Sequence, residues 1–79
     1  MTAKEMIVRK MYRVAEAVES GDYSAERARD EIYGYTQGII DAFNIDGDEF
    51  YQIFDLQSTF NMGYHPAYDV TVDEWKKLA

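Results

Sequence analysis

The residues of this chain that could carry chemistry are its carboxylates, and their distribution sets them apart. From Asp30 to Trp75 there are ten Asp and Glu and no Lys or Arg, a net charge of −10. The first 29 residues hold six basic and five acidic side chains, and Lys76 with Lys77 brings the total to −7. Tyr33, Tyr51, Tyr64 and Tyr68 lie inside the anionic stretch. Carboxylates this plentiful single out no acid/base pair, because general acid–base work needs two groups that their environments tell apart.

Other chemistries are poorly supplied. His65 is the only histidine and there is no cysteine, so a zinc site would need three carboxylates beside it. As a general base, His65 would need an orienting partner and a nucleophile, and the chain marks neither; it reads as a surface loop histidine. The run Asn44-Ile45-Asp46-Gly47-Asp48-Glu49-Phe50 suggests a calcium loop until its spacing is checked. With Gly47 as the sixth residue of an EF-hand loop, Ala42 would be first and Ile53 twelfth, and neither can coordinate. An improvised divalent-ion site from Asp46, Asp48 and Glu49 is the alternative to a plain helix start. The helix start accounts for every residue: Asp46 as N-cap, Glu49 as its capping-box partner, and Ile45 with Phe50 as hydrophobic staple. There is no glycine-rich phosphate loop, nucleophile elbow, paired-histidine helix or cysteine cluster. The expectation is a non-enzymatic protein with no metal and no cofactor.

Strong negative charge also argues against direct contact with nucleic acid or an anionic membrane. A basic protein partner is the class that remains. Asp30, Asp41, Asp46, Asp48, Glu49 and Asp55 can imitate a row of phosphates and occupy the nucleic-acid-binding surface of such a partner, with tyrosines as rigid contact area. Small inhibitors encoded by phages and immunity proteins of nuclease toxins use the same physics. Neither family's motif is present, so the likeness is one of physics alone. The plain rival is that an acidic surface keeps a small protein soluble.

These side chains must be positioned by helices. Ser24 to Asn44 is the longest run with one clear helical period. With Ile32 at zero and about 100° per residue, Ala25, Ala28, Tyr35, Thr36, Ile39, Ile40, Ala42 and Phe43 fall within about 80° of it. Tyr33 sits at the edge of that face. Ser24 suits the N-cap, and Asn44 suits the left-handed residue past the helix end. The opposite face carries Asp30, Gly34, Gln37, Gly38 and Asp41. A glycine inside an exposed helix costs roughly 1 kcal/mol against alanine, so two of them four apart need a reason. A binding partner flanked by acids, close packing by another helix of the chain or by a second copy, or a break near Gly34 would each supply one. The partner-binding set is therefore Asp30, Tyr33, Gly34, Gly38, Asp41, Asp46, Asp48, Glu49 and Asp55.

Before this helix, Thr2 and Glu5 form a capping box with Met1 and Met6 as staple, and Ile7, Met11, Val14 and Val18 repeat at helical spacing. Glu5 and Arg9 make a favourable pair four apart. Arg9, Lys10 and Arg13 form a basic outer face, solvated or paired with the acidic part of the fold. Gly21 is the natural stop. A third helix is expected from about Gly47 to Phe60, with Phe50, Ile53, Phe54, Leu56 and Phe60 on one face and Gln57 its polar member; a strand over Phe50–Leu56 is the alternative, since aromatics and isoleucine suit sheets. Residues 61–69 read as a loop, with Tyr64 and Tyr68 either folding it back onto the domain or helping to form a binding surface. Thr71-Val72-Asp73-Glu74 reads as another capping box, opening a short helix to Leu78 that docks Trp75 and Leu78.

Seventy-nine residues make one domain, residues 1–79. With 47% hydrophobic residues the core needs no staples. The expected fold is all-α, a small bundle of three main helices plus a short C-terminal helix, monomeric or weakly dimeric. Without cysteine, a secretory apolar segment or about 18 consecutive apolar residues, the expected location is the cytoplasm.

Overall fold

The computed structural model describes residues 1–79 and is all-helical: α1 (Ala3–Glu19), α2 (Ala25–Phe43), α3 (Gly47–Gly63) and a C-terminal 3-10 helix (Glu74–Leu78). Local chemistry starts and stops the first two helices. The Glu5 amide donates to Thr2 Oγ1 and the Thr2 amide to Glu5 Oε1, each at 3.1 Å, completing the capping box. Gly21 then takes φ +85°, a conformation that needs no Cβ. Ser24 caps α2 through the Arg27 amide at 3.1 Å. Asn44 ends it in the left-handed region at φ 51°, while the Ile45 amide bonds Ile40 O at 3.0 Å. That Schellman turn folds Ile45 into the core.

The core is one stripe from each helix. α1 supplies Ile7, Met11 and Val14, α2 supplies Ala28, Ile32, Ile39 and Ile40, and α3 supplies Ile53, Leu56 and Phe60. Helix α2 packs on α1 on one side and α3 on the other, so its wide apolar face is used. Helices α1 and α3 have no comparable contact of their own. Trp75, fully buried, closes the gap, its ring centroid 4.9 Å from Tyr12 of α1 and 5.4 Å from Phe60 of α3.

Several local expectations are corrected. Helix α3 runs to Gly63 rather than Phe60, taking Asn61 and Met62 out of the loop. Asp46 stands at its N-cap position without a side-chain hydrogen bond, and Glu49 makes none back. Gly47, the first helical residue, has φ +61°, and this left-handed step turns the following amides away from the Asp46 carboxylate. The Thr71–Glu74 capping box is also not formed. The Thr71 hydroxyl donates to Glu74 Oε2 at 3.4 Å, the Glu74 amide bonds Thr71 O at 3.2 Å, and a 3-10 helix begins only at Glu74. Five residues are too few for a stable α-helix, and i→i+3 bonding is the usual form of such short pieces. Leu78 stays 41% exposed rather than docking.

Phe43 and Phe54 lie on expected core faces, yet they are 56% and 44% exposed. Phe43 lies in the last turn of α2, past Ile40, and Ile45 fills the end of the core instead. Phe54 falls at the margin of the narrow α3 stripe set by Ile53, Leu56, Gln57 and Phe60. No Glu5–Arg9 ion pair forms, because Glu5 is engaged by Thr2 while Arg9 reaches Met1 Sδ at 3.6 Å.

Candidate partner-binding surface

All nine residues of the expected partner-binding set are exposed. Helix α2 passes through Gly34 and Gly38 unbroken, which removes a break as their explanation. A Cβ built on either glycine would meet nothing within 4 Å. Close packing by another helix of the same chain is therefore excluded, and the Asp30–Gly34–Gly38–Asp41 face is open. The glycine that does permit close approach is Gly63. A Cβ there would lie 2.9 Å from Thr71 O and 3.1 Å from Val72 Cα.

The electrostatics divide unevenly. The only ion pairs are Lys76–Asp73 and Lys77–Glu74, both 3.1 Å and both local to the 3-10 helix and its N-cap residue. The other eight acids of the anionic stretch have no ion-pair partner. Cations elsewhere meet rings and carbonyls: Arg27 lies 3.9 Å over Tyr23, Lys10 lies 5.5 Å over Tyr35, and Arg29 Nη1 donates to Tyr64 O at 2.6 Å. The basic face of α1 is thus not spent on the acids. Asp46, Asp48 and Glu49 do not converge with one another, and no three His, Asp or Glu side chains are grouped to hold a metal ion.

Exposed aromatic rings are concentrated in the anionic stretch without being confined to it, since Tyr12 of α1 is also 44% exposed. Tyr33, Phe43, Tyr51, Phe54 and Tyr68, between 44 and 66% exposed, all belong to the anionic stretch. Phe50, itself half-buried against the core, stacks on Phe54 at 6.0 Å and meets Tyr51 edge-on at 5.7 Å, so the first two turns of α3 carry an aromatic cluster whose outer rings are exposed. Sequence reasoning missed Phe43 and Phe54 as surface residues, since periodicity shows which side of a helix is apolar and not how much of it a neighbour covers.

A groove of about 440 Å³ lies between α2 and the C-terminal half of α3. Asp30, Arg29 and Tyr33 come from α2, Gln57, Ser58, Asn61 and Met62 from α3, and His65 and Tyr68 from the following loop. His65 is held there by the Ala67 amide, which donates to Nδ1 at 3.0 Å, and by the Tyr68 ring edge at 5.3 Å. Tyr64 does fold back, its ring 4.8 Å from Phe60, whereas Tyr68 remains exposed. Burial, and secondarily the Asp73 charge, pushes the Tyr64 phenol above its usual pKa. No helix is long and apolar enough to cross a membrane. No protein family, curated protein or solved structure matches the chain, so its surface alone must indicate what it does.

Proposed function

We propose that this is a non-enzymatic binding protein whose acidic, aromatic-bearing face occupies a basic, nucleic-acid-binding surface of another protein in the cytoplasm, in the manner of a phage-encoded or immunity-type inhibitor. One observation carries the reading: eight carboxylates without a counter-ion share the chain from Asp30 to Asp69 with five half-exposed aromatic rings. Uncompensated like charge works against the compact state, so it is retained at some loss of stability. A surface that served solubility alone would account for the acids and leave the exposed rings unexplained. Aromatic anchors rimmed by charge are what a steered protein–protein contact requires.

The test is capture from lysate by the tagged protein at low and high salt, beside the double variant Asp30→Lys/Asp41→Lys. A basic nucleic-acid-binding protein retained by the wild type, released by salt or competitor DNA and lost by the variant supports the reading. Equal capture by both forms, with the helical circular dichroism spectrum unchanged, removes this face from it.

A second reading has one observation in its favour. The Gly34–Gly38 face is open and exposed, as a helix–helix contact between copies of a self-assembling domain would require. Gly38→Leu should then lower the mass measured by light scattering at high protein concentration. An unchanged mass that is monomeric in both forms ends that reading.

A further inference from the structure

We infer that the groove between α2 and the C-terminal half of α3 receives an arginine side chain of the basic partner; this inference rests on the proposed function and specifies one contact within it. The Asp30 carboxylate lines the groove, is exposed and has no cationic partner. Two tyrosine rings, Tyr33 and Tyr68, 53% and 54% exposed, line the same groove. Asn61 Oδ1, also in its lining residues, is out of reach of water and accepts no hydrogen bond.

These features share one complement. A guanidinium is flat, permanently charged and carries five N–H donors. A carboxylate accepts two of them side by side, aromatic faces accept its plane, and a side-chain carbonyl takes a further donor. The terminal torsion of asparagine is soft, so the Asn61 amide can turn toward an entering N–H. Lysine, a compact and strongly hydrated point charge, matches the carboxylate but not the flat arrangement around it.

An anion fits less well despite Arg29 and His65. The Arg29 guanidinium is turned to Tyr64 O, to which Nη1 donates at 2.6 Å, and His65, whose Nδ1 accepts from the Ala67 amide at 3.0 Å, is left with Nε2–H as its one donor. The unpaired Asp30 would repel a phosphate at the same place.

Two nonapeptides separate this inference from the reading beneath it. One alternates lysine and glycine; the other differs only by arginine at the central lysine. Binding of the first reports general attraction to the acidic surface, and the difference between the two reports the groove. The expected result is at least tenfold tighter binding of the arginine peptide, with NMR shifts of the Asn61 and Gln57 side-chain amides. Asp30→Asn and Tyr68→Ala, both at exposed positions, should erase the difference while leaving the all-lysine peptide bound. Equal binding of both peptides overturns the groove while the acidic-surface reading stands. Binding of neither overturns both. Inorganic phosphate moving the same amides more than the arginine peptide does would show an anion site and overturn the inference.

Discussion

The two ends of α3 are built from similar residues and have opposite fates. At its C-terminal end Phe60 is fully buried, with the Tyr64 and Trp75 rings both packed on it. At its N-terminal end Phe50, Tyr51 and Phe54 form a comparable cluster, yet Tyr51 is 66% and Phe54 44% exposed. The difference lies outside the helix. Residues 71–75 reach Gly63 and Phe60, and no segment of the chain encloses the first two turns in the same way. Apolar composition makes a helix face available; the path of the remaining chain decides whether that face becomes core or surface.

Removing the cover should have the largest effect. Trp75→Ala should cost about 4 kcal/mol, a large part of the roughly 4–12 kcal/mol expected for a chain of this size. Urea unfolding followed by circular dichroism measures it, and a loss below about 1 kcal/mol would mean that the closed end is not closed by Trp75.

Gly63→Ala tests the same end through the backbone. Its Cβ would meet Thr71 O at 2.9 Å and Val72 Cα at 3.1 Å, neither of them the flexible end of a side chain. A destabilisation of about 2 kcal/mol is expected, with a red shift of Trp75 fluorescence as the C-terminal segment lifts.

The glycines of α2 should behave in the opposite sense. Gly34→Ala and Gly38→Ala meet nothing within 4 Å, so each should stabilise the free protein by roughly 1 kcal/mol through helix propensity alone. Destabilisation at protein concentrations where the chain is monomeric would contradict the open face.

At the uncovered end of α3, Phe54→Ala should lower stability by less than about 1 kcal/mol, because much of the ring is already in water. The same substitution should weaken partner capture several-fold if the exposed cluster is an anchor. A large loss of stability with capture intact would move Phe54 back into the core.

The smallest effect compares two helix starts. Hydrogen bonds donated by the Thr2 amide and the Thr2 hydroxyl hold the Glu5 carboxyl below its usual pKa. A depressed folded pKa means that the capping contribution is present above the unfolded value, near 4.5, and is lost as pH falls through the lower folded value. The stability gap between wild type and Glu5→Gln should accordingly narrow as a urea series is taken from pH 7 toward pH 3. Glu49→Gln, which breaks no cap at the start of α3, should cost less stability at pH 7 than Glu5→Gln.

Much of the fold was legible because its signals are local. The Thr2–Glu5 box, the Ser24 cap, the Gly21 stop and the left-handed Asn44 each depend on a few neighbouring residues and formed as their chemistry directs. The signals at Asp46 and Thr71 were of the same kind and did not hold. A left-handed Gly47 turned one carboxylate away, and the five-residue C-terminal helix wound as 3-10. Of the candidate surface, exposure of the acids followed from charge, since an unpaired carboxylate stays in water. The groove could not be foreseen, because Asp30, Asn61 and Tyr68 meet only when α2 and α3 lie side by side.

By itself, the sequence determined three helices, an anionic middle without a compensating base, and the absence of thiolate and histidine-rich metal chemistry. Helical period and net charge need no knowledge of distant neighbours. The tertiary structure alone decided that Gly63, rather than Gly34 or Gly38, is where two backbones meet. It also decided that Phe60 is core while Phe43 and Phe54 are surface. Burial is a property of what lies opposite a side chain, and what lies opposite is set by packing between segments far apart in the chain.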